Sequence, residues 1–252
     1  PIFTSINDFK NPFFIGIAGS GMIAIAQYLK GIGKNVSGSD RFFVAGEYIE
    51  TKEKLEQEGI ACFPQNGDGI LAETDLIVAS TAIEDTVVEI QKAKQLGIPI
   101  LKRSELLAII ASSKKTIAVG GTSGKSTTSA MVYEVLEYAG LKPGIISGAG
   151  LTSLIKKGKI GNAIAGHGDW LVIEADESDG SIVQYKPELG LLLNIDKDHQ
   201  EIDELIRIFG IFKNNSRIFV TNQSHTLAKQ FSQNIKLDFA TEENINTGNV
   251  AD

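Results

Sequence analysis

The sequence predicts an α/β fold with largely parallel sheets. Short β-branched runs alternate with helical stretches from end to end, the pattern of strands joined by crossover helices. Two strands run straight into glycine turns that open helices, and several apolar runs are long enough for buried central strands.

In chain order, Phe13-Phe14-Ile15-Gly16-Ile17-Ala18 reads as a strand, residues 22–30 as a helix and residues 35–39 as a second strand. A Glu- and Lys-rich helix over 49–58 leads into Ile60-Ala61-Cys62-Phe63. A strand at 75–79, a helix over 87–96, the short strand Pro99-Ile100-Leu101 and a helix over 106–111 complete a first nucleotide-binding-type unit. The polar stretch Ser112-Ser113-Lys114-Lys115 marks a boundary, so residues 1–111 and 112–252 are expected to form two domains. The pattern then restarts: the strand Thr116-Ile117-Ala118-Val119, a helix over 126–139 stopped by Gly140, and apolar runs at 170–173 and 189–195. A helix over 202–212 and the strand Arg217-Ile218-Phe219-Val220 follow, and the polar residues 242–252 are expected to fray.

The 42% hydrophobic and 22% charged residues are those of a soluble globular protein. A net charge of −7 with no basic stripe argues against a general nucleic-acid binder. Lys156-Lys157-Gly158-Lys159 reads as a solvated loop. The lone Cys62 excludes an intrachain disulfide and fits a reducing compartment. No basic segment precedes an apolar core at the start, as a secretory signal would require. The best membrane candidate, 13–26, is interrupted by Gly16, Gly19, Ser20 and Gly21 and falls short of the roughly 18 apolar residues of a spanning helix. The expected location is the cytoplasm. Pro1 in place of Met reads as a processed chain or an expressed fragment.

Gly120-Gly121-Thr122-Ser123-Gly124-Lys125-Ser126 lies between a strand and a helix. Backbone N–H groups and a helix N-terminus can meet a phosphate chain there, provided that no side chain blocks the approach. Lys125 is expected against the β- and γ-phosphates of ATP, with the Ser126 hydroxyl on Mg²⁺. An ordinary loop of this kind places four residues between its first glycine and the Gly-Lys pair. Here Gly120 leaves three.

Gly16-Ile17-Ala18-Gly19-Ser20-Gly21 is a Rossmann-like fingerprint with Ala18 at the second glycine position, and Asp40 follows its last glycine by 19 positions. By itself this fits NAD, another nucleotide, or a tight turn without ligand. Glu174-Ala175-Asp176-Glu177-Ser178-Asp179 and then Asp196, Asp198 and His199 follow two apolar strands. Ligands of open parallel sheets lie beyond the carboxyl ends of strands, where carboxylates suit Mg²⁺.

Together these residues resemble the Mur ligases, the ATP-dependent amino-acid ligases of peptidoglycan precursor synthesis. The carriers are Gly121-Thr122-Ser123-Gly124-Lys125-Ser126-Thr127-Thr128, whose shortened loop is that family's, the acidic stretch 174–181, and Asn194-Ile195-Asp196-Lys197-Asp198-His199. In the first unit they are Gly19-Ser20-Gly21-Met22, Ser37-Gly38-Ser39-Asp40 and Ser80-Thr81-Ala82-Ile83. The resemblance implies a Rossmann-like UDP-sugar-binding domain followed by part of a P-loop-type, parallel-sheet ATPase domain. It implies that Gly121, Thr122, Ser123, Gly124, Lys125, Ser126 and Thr127 bind ATP, and that Lys125, Glu174 and His199 are catalytic. Ser126 and Glu174 would hold one Mg²⁺, and His199 a second. Gly19, Ser20, Gly21, Met22, Asp40, Ser80, Thr81, Ala82 and Ile83 would hold the UDP-sugar.

The implied reaction adds L-alanine to UDP-N-acetylmuramate through an acyl phosphate. The alternatives are a ligase for a recycled tripeptide and a non-catalytic UDP-sugar-binding protein. Ser123 stands where the alanine-adding members usually have His, and Ala18 where they have Gly. Residues 200–205 lack the acidic-aromatic continuation of those members. Family members run well past position 252 into a third domain.

Overall fold

In the computed structural model, which describes residues 3–44, 46–80, 83–156, 158, 160–178, 180–197 and 201–241, the α/β expectation holds, and the chain forms two sheets. The first is built from β1 (Pro12–Ile15), α1 (Ser20–Gly31), β2 (Ser37–Asp40), α2 (Arg41–Val44), α3 (Ile49–Gln57), β3 (Ala61–Pro64), β4 (Leu76–Ala79), α4 (Val88–Leu96), β5 (Ile100–Lys102) and α5 (Arg103–Ser112). Its order is β3-β2-β1-β4-β5 and every pairing is parallel. The order reverses at β1. The crevice that such a reversal opens lies at the carboxyl end of β1, where the first glycine turn sits.

The second sheet uses β6 (Lys115–Gly120), α6 (Lys125–Tyr138), β7 (Gly144–Ile146), α7 (Thr152–Ile155), β8 (Ala163–Ile164), β9 (Trp170–Glu174), β10 (Leu189–Leu192), α8 (Ile202–Asn215) and β11 (Ile218–Thr221). Its order is β11-β10-β6-β9-β7-β8, parallel except for the antiparallel β7–β8 edge. Here β6 is the reversal strand, flanked by β9 and β10. The second glycine loop therefore leaves from the matching crevice of the second sheet.

Helix α1 joins the two halves. Residues 22–29 are all buried, so the helix has no solvent face, as a helix apolar on all sides requires. It packs against β7 and β8 of the second sheet as well as α5 of its own half. A Cβ at Gly31 would lie 2.5 Å from the Ala165 Cβ, and one at Gly144 would lie 3.2 Å from the Tyr28 ring. One hydrophobic cluster runs from Phe14, Ile25, Leu29 and Ile110 to Ile146, Leu171 and Phe209.

The boundaries differ from the sequence reading in explicable ways. The first strand stops at Ile15 because Gly16 takes φ +79°, which turns the chain. Helix α5 begins at Arg103 rather than 106, since the Glu105 carboxylate accepts the Lys102 N–H at 2.7 Å and caps it. The four-residue α2 and α7 and the two-residue β8 were too short to leave a period in the sequence, and the three-residue β7, no shorter than the β5 that was read, is set among Gly144, Ser147 and Gly148. Among the described residues, no helix is long and apolar enough to cross a membrane. Residues 242–252, like Lys157 and Lys159, lie outside the described residues.

Candidate active site

The loop between β6 and α6 owes its shape to glycines and to one asparagine. Gly121 and Gly124 take φ +140° and +80°, values that L side chains rarely adopt. Asn194, just past the end of β10, reaches back across the loop. Its Oδ1 accepts from the Thr122 hydroxyl and the Ser123 N–H, both at 2.9 Å, and its Nδ2 donates to the Ser123 carbonyl at 3.1 Å. The Asp196 N–H adds a bond to Thr122 Oγ1 at 3.0 Å. Asp196 in turn accepts from His225 Nε2 at 3.3 Å, while the His225 Nδ1 accepts the Ala228 N–H. Asn194 and the Asp196 N–H thus brace the loop from the far side.

Lys125 opens α6, and its ammonium lies over the loop, donating to the Gly121 carbonyl at 2.8 Å and to Glu177. Glu177 is buried. Burial raises its carboxyl above the ordinary carboxylate range, and the hydrogen bond and charge of Lys125 act against that rise.

Glu174 ends β9. Its Oε1 accepts from the Ser147 hydroxyl at 2.5 Å and from the Gly148 N–H at 2.8 Å, both just past β7. Its Oε2 accepts no hydrogen bond from the described residues. A carboxylate fixed through one oxygen, with the other toward a cleft, suits Mg²⁺, which takes one or two protein oxygens and keeps waters and phosphate for the rest. Among the described residues, no three His, Cys, Asp or Glu side chains converge as a metal cage. His199, expected as a metal ligand, lies outside the described residues, as do Asp179, Asp198, Thr81 and Ala82.

The two halves meet at a cleft of about 350 Å³. Gly19, Ser20, Gly21, Met22 and Ser80 line it from the first half, and Lys125, Ser147, Gly148, Glu174 and Asp176 from the second. The N-terminus of α1 points into it with backbone N–H groups and no lysine. Arg103, which the sequence reading did not single out, supplies the charge there. A Cβ at Gly21 would lie 3.3 Å from the Arg103 Cδ and Nη1, so the guanidinium lies over the start of α1. Ser126 and Thr127 line a different groove, between α6 and residues 149–153, of about 600 Å³. The expected pairing of Ser126 with Glu174 in one cavity is therefore not what the lining residues give.

Asp40 is buried and spoken for. Its Oδ2 accepts the Ala18 N–H at 2.9 Å and its Oδ1 the Phe42 N–H at 3.1 Å. It fixes the glycine turn and also borders a second cleft of about 470 Å³ with Gly16, Arg41, Gln65, Ser80 and Ile83. Ser147 and Arg103 were the main omissions of the sequence reading, and Asn194 entered it only as the first residue of the 194–199 stretch. Position just after a strand could have flagged Asn194.

Residues 13–115 match the family model described as Mur ligase family, catalytic domain, and residues 119–247 match the Mur ligase middle domain. The chain belongs to the Mur ligase family. The UDP-N-acetylmuramate–L-alanine ligase of Carboxydothermus hydrogenoformans is 41% identical over 209 residues, 81% of this chain and 43% of that protein. The enzyme of the same description from Pelotomaculum thermopropionicum is 41% identical over 75% of this chain and 39% of its own length. The chain thus spans about two-fifths of these relatives. Among solved structures, the UDP-N-acetylmuramate-alanine ligase of Thermotoga maritima superposes with a TM-score of 0.80 at 28% identity, over 92% of this chain and 53% of that one. A UDP-N-acetylmuramate:L-alanyl-gamma-D-glutamyl-meso-diaminopimelate ligase from Neisseria meningitides gives 0.74 at 25% identity, over 88% and 74%. The short loop and the acidic stretch are thus features of a Mur ligase chain.

Proposed function

We propose that this Mur ligase chain supplies the UDP-sugar and ATP sites of an enzyme that joins the carboxylate of UDP-N-acetylmuramate to the amine of L-alanine, forming ADP. The supporting observation is the shared cleft, where the α1 turn and Arg103 face Lys125 and Glu174. In this reading residues 1–111 hold the UDP-sugar and residues 112–252 the ATP phosphates. The uridine end would take the outer cleft beside Asp40 and Ile83. The diphosphate would meet the α1 N-terminus, whose dipole and free N–H groups favour anions.

The chemistry is then one of positioning and charge neutralisation. A substrate carboxylate oxygen attacks the γ-phosphorus of ATP and ADP leaves, giving an acyl phosphate. The amine then attacks the acyl carbon and phosphate departs. Lys125 would neutralise charge on the transferring phosphoryl group. Glu174 would hold one Mg²⁺ and His199 a second, and the ions would supply charge neutralisation at the phosphates. The lone cysteine agrees with a reducing cytoplasm as the site of action.

The test is phosphate release by the full-length protein given ATP, UDP-N-acetylmuramate and L-alanine, with Lys125→Ala beside it. Release that needs all three substrates and is lost in the variant is the expected result. Near-normal turnover by Lys125→Ala would overturn the role given to that residue. Since the Neisseria peptide ligase superposes with a TM-score of 0.74, an amine panel that includes the tripeptide is the discriminating measurement. Release with the tripeptide alone would replace L-alanine as the substrate.

A further inference from the structure

The Lys125 ammonium is already engaged by the protein. It donates to the Gly121 carbonyl at 2.8 Å and lies 3.1 and 2.9 Å from the two Glu177 oxygens. The two oxygens of one carboxylate lie too close in direction for two tetrahedral N–H groups to point at both, so Glu177 takes one shared N–H and Gly121 another. The pair is shielded from water: the side chains of Lys125 and Glu177 are 17% and 6% exposed. Glu177 does not line the shared cleft, which Glu174 and Asp176 do. It sits behind them in a turn closed by the Gly180 N–H on the Glu177 carbonyl at 3.1 Å. Nothing in the reaction just described uses it.

We propose that Glu177 is an internal stand-in for phosphate, a built-in counter-ion that holds Lys125 over the loop and with which an incoming phosphate chain competes. This rests on the reading of Lys125 as a phosphate ligand. A carboxylate oxygen and a phosphate oxygen offer the same kind of acceptor to an ammonium. A phosphate chain that draws on the Lys125 charge competes for it with Glu177. The buried Glu177 carboxylate also stands close to the incoming polyanion, and that like-charge approach adds to the cost. Both effects have one sign: they weaken binding of the phosphate chain relative to a loop with a neutral side chain at 177. The pairing also stabilises the protein itself. Lys125 stays folded over the loop instead of extending into solvent, and Glu177 keeps a partner that offsets its burial.

A merely structural Glu177, one that only shapes the acidic turn, has the opposite signature, because loosening that turn would weaken nucleotide binding. The experiment is calorimetric titration of the full-length protein with the β,γ-imido analogue of ATP in Mg²⁺, comparing wild type, Glu177→Gln and Lys125→Ala. Glu177→Gln is expected to bind the analogue roughly tenfold tighter, the effect of removing one charge-assisted competitor. Its ligand-free melting temperature is expected to fall. Unchanged or weaker binding in Glu177→Gln, with binding still lost in Lys125→Ala, would overturn the stand-in and leave the phosphate role of Lys125 intact. Normal binding in Lys125→Ala would overturn that underlying role instead. Adenosine is the control: tightening that extends to this phosphate-free ligand would overturn the proposal. If Glu177→Gln does not fold, Glu177→Met, of similar length and without charge, carries the same test with the same two outcomes.

Discussion

The two glycine turns of the molecule stand at equivalent places, each after the reversal strand of a parallel sheet and each opening a helix, yet they are built differently. The turn after β1 is shaped by a buried carboxylate from the neighbouring strand: Asp40 accepts the Ala18 N–H and leaves the N-terminus of α1 to face the cleft with backbone groups. The loop after β6 is shaped by a neutral side chain, Asn194, and carries its own cation, Lys125. The contrast teaches that a shared topology fixes where an anion can be met, while the side chains around the turn fix whether its cation belongs to the loop itself, as Lys125 does, or comes from a neighbouring helix, as Arg103 does. A helix N-terminus contributes about 0.3–1 kcal/mol toward an anion at an exposed site. A fixed charge in a closed cleft is worth more.

If that contrast is right, the largest effect belongs to the charged side of the cleft. Glu174→Ala is expected to lower turnover by about a hundredfold or more, the scale of losing a transition-state charge partner. The loss should show in kcat rather than in the KM for the UDP-sugar, since Glu174 belongs to the phosphoryl-transfer half. Steady-state kinetics of the full-length protein check this, and a variant that loses only UDP-sugar affinity would erase the distinction between the halves.

The next effect tests the two shaping residues against each other. Asp40→Ala leaves the part-buried Ala18 N–H without its acceptor, at about 1–3 kcal/mol. It is expected to raise the KM for the UDP-sugar and to leave that for ATP within about twofold, on the additivity expected of separate sites. Asn194→Ala removes the brace across the other loop and is expected to do the reverse. Kinetic measurement of both constants in both variants decides it. A parallel rise of both constants in either variant would mean that the turns are not independent.

That independence has a limit, and the limit is α1. Gly31→Ala puts a methyl group 2.5 Å from the Ala165 Cβ. Overpacking of this kind costs about 1–3 kcal/mol. Because α1 belongs to one half and packs against the sheet edge of the other, the expected result is a lower melting temperature with both KM values raised. A change confined to one KM would show that the helix does not couple the sites.

Much of this was legible from the residues alone, for reasons that can be named. The strand-loop-helix around Lys125 announced itself because glycines, a lysine and an apolar strand fall at fixed spacing, and the structure puts Lys125 at the first residue of α6. Most of the element order was legible because helices of nine residues or more and apolar strand runs leave a pattern. What stayed hidden depends on contacts distant in sequence. Asn194 lies more than 70 positions from the loop it braces. Ser147 follows a strand that the sequence did not reveal, and it reaches Glu174 only because β7 pairs with β9. Arg103 resembles any basic residue at a helix start until α1 and α5 pack side by side. For Asp40 the spacing led to the right neighbourhood, but not to the hydrogen bonds with the turn itself.

The smallest expected effect uses Cys62 as a reporter on the first turn. Cys62 lies on β3 opposite Gly38, two residues before Asp40 on β2. Burial pushes its thiol up to about 12, with Glu56 and Asp40 adding to the rise and Lys52 opposing it. The thiolate is the reactive form. At pH 8 only on the order of one thiol in ten thousand is ionised at such a value, against roughly one in four for an unperturbed cysteine. Iodoacetamide labelling of the native protein is therefore expected to be slow, and to climb about tenfold per pH unit without a plateau below pH 11. In denaturant the same cysteine should label at the rate of a free thiol. Asp40→Ala removes one of the lesser charges that suppress the thiolate, so it is expected to speed native labelling only modestly, while Asn194→Ala, at the other turn, should leave the rate unchanged. Equal acceleration in both variants would mean that labelling reports general loosening, and the comparison of the two turns would then have to rest on the kinetic constants alone.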